Sequence, residues 1–155
     1  MKPQRGFTLV EILIVVVILG VVAAIVLANF SNVTATAKAS MLADNLRLMR
    51  TQVVVFKGQH RGVSPGYPGL DPTQTPDEAV FAAHITERTN GYGPYMRKMP
   101  ENPVNDKANV LMIDNGAPLP AAASGQHGWV YQASTLTFKS DATGTDENGK
   151  AYYDY

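Results

Sequence analysis

The chain has no cysteine among its 155 residues, which removes a disulfide framework, a thiolate nucleophile and any cysteine-based zinc site. A cysteine-free chain fits any compartment, so location must be read from other features. Net charge is lacking too. Thirteen basic residues face thirteen acidic ones, so there is no field suited to nucleic acid and no nucleic-acid partner is expected. Loss of residues 1–6 would remove Lys2 and Arg5, leaving 13 − 2 = 11 basic residues against 13 acidic, still only mildly acidic. Catalytic groupings are missing as well. His60, His84 and His127 are scattered with no HExxH pairing, and Ser124–Gly125 lacks the setting of a nucleophile elbow. "GYG" at residues 91–93 runs into proline rather than a helix, so no phosphate loop is present. No enzymatic activity is expected. The last shortage is local: between Arg5 and Lys38 the single charged side chain is Glu11.

What fills that interval is hydrocarbon. Ile12 to Ala28 is 17 uncharged, mostly branched residues, about 25 Å as a helix at roughly 1.5 Å per residue. Phe7–Val10 and Asn29–Phe30 extend it enough to cross a core about 30 Å thick. Valine and isoleucine are mediocre helix formers in water. In lipid the backbone must satisfy its own hydrogen bonds, and a single span does so as a helix. Lys2 and Arg5 precede the run, and the next charge is Lys38. The positive-inside bias therefore keeps the N-terminus cytoplasmic and sends the remainder across. A removed secretory signal is the competing reading, with Ala23, Ala24 and Ala28 as a false cleavage match. Such signals carry roughly 7–15 apolar residues, fewer than here, and leave Glu11 unexplained.

A carboxylate at membrane depth is costly and usually has a partner. No basic residue in the span reaches Glu11, and Arg5 lies six positions back, off the i,i+4 spacing. A partner would arise if the chain were cut between Gly6 and Phe7, leaving a new α-amine on Phe7. An amine on a neighbouring copy approaches more freely than one held four residues away on the same helix. Glu11 then becomes an assembly device.

"RGFTLVEILIVVVILGVVAAI" (5–25) closely resembles the signal sequence of type IV pilins and type II secretion pseudopilins. The resemblance implies a basic leader over 1–6, cut after Gly6 by a prepilin peptidase that also N-methylates Phe7. It implies that Glu11 pairs with the Phe7 amine of an adjacent subunit in a helical filament. One departure is plain: the family often has proline where this chain has Ala28. Gly20 is the remaining weak point for helix melting.

Beyond Phe30, Ala35, Ala39, Leu42, Leu46, Met49, Val53 and Phe56 recur at spacings of four and three, one apolar stripe of a helix. The helix is predicted over about 7–57, ending at Gly58. Residues 58–76 are rich in glycine and proline and read as loop. Thr75 then reads as an N-cap, with Pro76 at the first helical position and Glu78 closing a capping box, for a short helix to about Arg88. Strands are predicted at 109–113, 128–132 and 135–139, the last two as a hairpin turning at Ala133–Ser134. The expected fold class is α+β: a long N-terminal helix, membrane-spanning in its first half, packed on a small C-terminal antiparallel sheet. The domains are a leader (1–6), an assembly helix (7–30) and a periplasmic pilin-like domain (31–155).

"GPYMRKMPENPVN" (93–105) resembles the loop of the G-type major pseudopilin of type II secretion. With the missing cysteines, it favours a secretion pseudopilus subunit over a surface-fibre pilin used for adhesion, motility or DNA uptake. The partners implied are prepilin peptidase, further copies of the chain, minor pseudopilins and an inner-membrane assembly platform. The location implied is the bacterial inner membrane, single-pass, and then a periplasmic filament. No cofactor is required. In "SDATGTDENGKAYYDY" (140–155), Asp141, Asp146 and Glu147 could offer the hard oxygens calcium prefers, and G-type pseudopilins carry calcium in this loop. The spacing is not that of an EF-hand, and a solvated acidic turn is the alternative. Tyr152, Tyr153 and Tyr155 are expected to pack the loop down, and Trp129 to lie in the core. His84 is expected on a polar helix face and His127 in an exposed turn.

Overall fold

The computed structural model describes residues 7–155, apart from the side chains of residues 26–33. Helix α1 runs unbroken from Leu9 to Gln59, about 76 Å at 1.5 Å per residue. Its apolar stripe does what its spacing requires. Leu42, Leu46, Met49, Val53 and Phe56 are all essentially inaccessible to solvent, and Ala39 is nearly so. Full burial of each large side chain is worth about 1.5–3 kcal/mol, so the second half of α1 is held by the core it covers. The helix runs one residue past Gly58 and closes through His60, whose N–H donates to the Phe56 carbonyl. Arg61 and Gly62 follow in the left-handed region, and the Gly62 N–H satisfies the Lys57 carbonyl.

Helix α2 spans Glu78–Thr86, a later start than Thr75–Pro76 predicts. Asp77 is the cap, its carboxylate accepting the Val80 N–H at 2.9 Å. Glu78 closes no capping box; its Oε1 accepts the N–H of Val110 instead, at 2.7 Å, tying α2 to the first strand. The short aspartate reaches the N3 amide directly, which leaves the longer glutamate free to make a tertiary bond.

Strands β1 (Val110–Ile113), β2 (Trp129–Gln132) and β3 (Thr137–Ser140) form one sheet in the order β1-β2-β3. The α+β architecture, a long helix on a small three-stranded sheet, is the one predicted. The sheet is mixed rather than wholly antiparallel. β2 and β3 pair antiparallel, with Trp129 opposite Ser140, whereas β1 and β2 pair parallel, with Val110 opposite Trp129. Only a tight hairpin forces antiparallel pairing; the connection from 114 to 128 is long enough to bring the chain back and start β2 alongside the beginning of β1. The hairpin itself turns over 133–136, not at Ala133–Ser134 alone. A two-residue turn needs left-handed backbone that alanine and serine resist. Here the left-handed residue is Leu136, and the Thr135 hydroxyl bonds the Gln132 side chain at 2.9 Å.

Trp129, Tyr131 and Phe138 form the face that meets α1 and α2. Phe138 sits 5.5 Å from Trp129 and 5.8 Å from Tyr131 between ring centroids, and Phe81 of α2 completes the group. The Trp129 indole N–H donates to the Pro100 carbonyl, as a buried indole requires. Val130 points to the other side, against Ile113 and Tyr153.

Candidate functional site

The N-terminal segment is a bare apolar rod. Every described side chain from Phe7 to Ile25 is exposed, Phe7 by 81% and Leu9 by 83%. On this surface Glu11 is the one ionisable group. Among the described residues no cation of the same span reaches its carboxylate, but an uncharged neighbour does. Thr8 and Glu11 form a reciprocal capping box: Glu11 Oε2 accepts the Thr8 N–H and the Thr8 hydroxyl, each at 2.7 Å, while Thr8 Oγ1 accepts the Glu11 N–H at 3.2 Å. The signal was in the sequence as "TLVE", a threonine followed three residues later by glutamate ahead of an apolar run. Thr8 is a site residue that charge alone does not reveal. It is uncharged but presents two donors, and the carboxylate also sits at the positive end of the helix dipole.

The leader, including Gly6 of the expected cut, lies outside the described residues. Among the described residues no helix is long and apolar enough to cross a membrane. The expected span of 7–30 extends into residues 26–30, whose side chains lie outside the described set.

The three carboxylates expected to share a cation are not brought together. Asp141 is fully buried and serves the 124–128 loop. Its Oδ1 accepts the Ser124 N–H at 2.7 Å, and its Oδ2 accepts the Ser124 hydroxyl at 2.6 Å and the His127 N–H at 3.0 Å. Burial alone would raise this carboxyl, but the Ser124 and His127 donors hold it below the usual aspartate range. The backbone of Asp141 adds two further ties, to Gly125 and Gly128. Asp146 and Glu147 lie in a separate exposed turn.

One of the three histidines departs from its expected position. His84 is buried rather than on a polar face. Its Nδ1 accepts the Gly66 N–H at 3.2 Å, and its ring stacks on Phe56 at 4.9 Å. Burial lowers its pKa, with a smaller push from His60. His60 also stacks on Phe56, at 3.9 Å, so two of the three histidines share one aromatic group as packing elements. His127 is partly exposed, with Nδ1 3.4 Å from Asp141. Tyr152 and Tyr153 are buried as expected, and the Tyr155 ring lies against Tyr152.

Residues 1–27 match the prokaryotic N-terminal methylation motif. The chain is 28% identical to the type II secretion system core protein G of Klebsiella pneumoniae over 131 residues, 84% of this chain and 82% of that protein. It is 33% identical to the type IV major pilin protein PilA of Myxococcus xanthus (strain DK1622) over 122 residues, 79% of this chain and 46% of that protein. The chain is therefore similar to type IV pilins and to a type II secretion core protein, and its first 27 residues carry the N-terminal methylation motif. A fimbrial protein of Pseudomonas aeruginosa is 37% identical over 91 residues, 57% of this chain and 53% of that protein. This pilin-like chain thus spans about half the length of those two pilin relatives, and most of the secretion protein. No solved structure matches it. The match over 1–27 contains Gly6, Phe7, Thr8 and Glu11, so the capping box and the expected processing site fall within one motif.

Proposed function

We propose that this chain is a structural subunit of a type II secretion pseudopilus, without catalytic activity. In this reading prepilin peptidase cuts after Gly6 in the cytoplasm and N-methylates Phe7. Residues 7–30 anchor the subunit in the inner membrane as a single span, and residues 31–155 form the periplasmic domain. Subunits then pass from the membrane into a helical filament that helps move folded proteins across the outer membrane. Minor pseudopilins and an inner-membrane assembly platform are the further partners.

The observation that carries the reading is the single carboxylate on an otherwise apolar, fully exposed rod. Its bonds to Thr8 give Glu11 polar partners while the subunit is alone. The Phe7 amine of a neighbour offers a full opposite charge once subunits stack, so assembly exchanges a neutral partner for a cation. The near-complete coverage of the secretion protein supports the pseudopilus over the surface fibre. The higher identity to the Myxococcus and Pseudomonas pilins favours the second reading, a type IV pilin of a surface fibre.

Mass spectrometry of the mature N-terminus tests the common part: the chain should begin at Phe7 with one added methyl group. A functional protein that still begins at Met1 overturns it. Imaging cells for long native surface fibres separates the two systems, with fibres counting against the secretion reading.

A further inference from the structure

Calcium in the C-terminal loop is what the resemblance to G-type pseudopilins implies, and the residues here do not fit it. Asp146 Oδ1 accepts the N–H groups of Asn148 and Lys150 at 2.8 and 2.9 Å. Its Oδ2 accepts the Tyr155 hydroxyl. Glu147 Oε2 accepts the Thr36 hydroxyl of α1 at 2.8 Å, and Asp141 is committed to Ser124 and His127. A calcium shell needs six to eight oxygens with lone pairs free to point inward. Here N–H and O–H donors occupy the carboxylates that would supply the charge. Among the described residues no three histidine, aspartate or glutamate side chains gather in one place.

We infer that the 144–155 loop is closed by a metal-independent clasp in which the Asp146 carboxylate gathers the loop's own donors, with Lys150 and Tyr155 completing it. The geometry is continuous. The Asp146 N–H donates to the Lys150 carbonyl at 2.9 Å and its carbonyl accepts the Gly149 N–H at 3.1 Å, so the turn is bonded through both backbone and side chain. Thr145 bridges Ala151 antiparallel, and the Tyr152 N–H reaches the Gly144 carbonyl at 3.1 Å. The Lys150 ammonium lies 4.2 Å over the Tyr155 ring, bringing a cation of the chain's own to the anionic turn. Arg50 of α1 donates to the Tyr155 carbonyl at 2.8 Å and to the Phe138 carbonyl at 2.9 and 3.0 Å. The clasp is therefore bolted to both the long helix and β3. The Tyr155 bond is the largest of the effects holding Asp146 below the usual aspartate range, and the same bond pushes Tyr155 up to about 12.

Hydrogen exchange of the 144–155 segment, read in the full-length chain in mild detergent, tests the clasp. Calcium alone is the probe, raised to about 10 mM, above the ~10⁻³ M range of weak extracellular calcium modules, with a chelator in the opposite arm. The expected result is no change in exchange or in Tm in either arm. Asp146→Asn should accelerate exchange at residues 148 and 150 roughly tenfold, the loss of about one charge-assisted hydrogen bond, and calcium should not reverse it. Tyr155→Phe removes one donor and leaves the fold's core untouched. It carries the test if the first variant fails to fold, with a several-fold acceleration expected. Saturable slowing of exchange by calcium in the unmodified chain overturns the inference. So does wild-type exchange in Tyr155→Phe.

Discussion

Replacing Asp141 by alanine removes a buried carboxylate that is fully engaged by donors. The side chain is fully buried and accepts three hydrogen bonds at 2.6–3.0 Å, two from Ser124 and one from the His127 amide. Hydrogen bonds to a charged group contribute about 1.5–3 kcal/mol each, and they are not additive when shared by one carboxylate. Truncation also strands two backbone N–H groups whose donors then need water. A loss of about 3–4 kcal/mol is expected near neutral pH, or roughly 12–16 °C in Tm at about 4 °C per kcal/mol for a folded portion of this size. The assay is thermal unfolding of the full-length chain in mild detergent, followed by the near-ultraviolet signal of Trp129. The pH dependence supplies an independent check. Because the folded-state carboxyl is held below its ordinary value of 3.8, its contribution is complete above that pH. It is lost as pH falls through the lower folded-state value. The difference between wild type and Asp141→Ala should therefore be largest at neutral pH and shrink once the pH drops below about 4. A variant within about 1 kcal/mol of wild type at pH 7 would refute the reasoning, as would a gap that persists unchanged under acid.

Two further variants address the assembly segment and the sheet. Glu11→Ala should still be inserted and cut, yet filaments should be lost or disordered in electron micrographs. Thr8→Ala removes both hydroxyl bonds of the capping box, keeps the bond from the residue 8 amide to Glu11, and should leave filaments intact, so equal loss in both variants would shift the role of Glu11 from pairing between subunits to capping within one. Gly128→Ala should destabilise by more than about 3 kcal/mol in the same unfolding assay, because its Cβ would run into the Lys107 carbonyl oxygen, a backbone atom rather than the end of a flexible side chain. A near-wild-type Tm for Gly128→Ala would mean that the backbone at Lys107 yields to the added methyl group.

Periodicity carried the reading wherever an interaction depended on spacing along one element. The stripe from Ala39 to Phe56 was legible because residues three and four apart share a helix face whatever lies opposite. The apolar run and its single carboxylate were legible because the composition of one segment suffices for both. The Thr8–Glu11 cap is equally local, written in the spacing of threonine and glutamate rather than in opposite charge. His84 shows the opposite limit. On α2 alone its position looks polar, and only the arrival of Phe56 from α1 and of the Gly66 amide from the loop makes it a buried acceptor.

Sequence by itself determined that this protein has a long helix with an apolar, once-charged first half, a core stripe in its second half, and three short strands after it. Each of these follows from side-chain chemistry repeated at a fixed interval along the chain. Tertiary structure alone decided that β1 runs parallel to β2, that Glu78 bonds a strand amide, and that the carboxylates of Asp141 and Asp146 gather donors in two separate loops. Those outcomes depend on which donors arrive from distant segments. A carboxylate satisfies whichever N–H and O–H groups the fold delivers to it, and its spacing from other carboxylates carries no record of them.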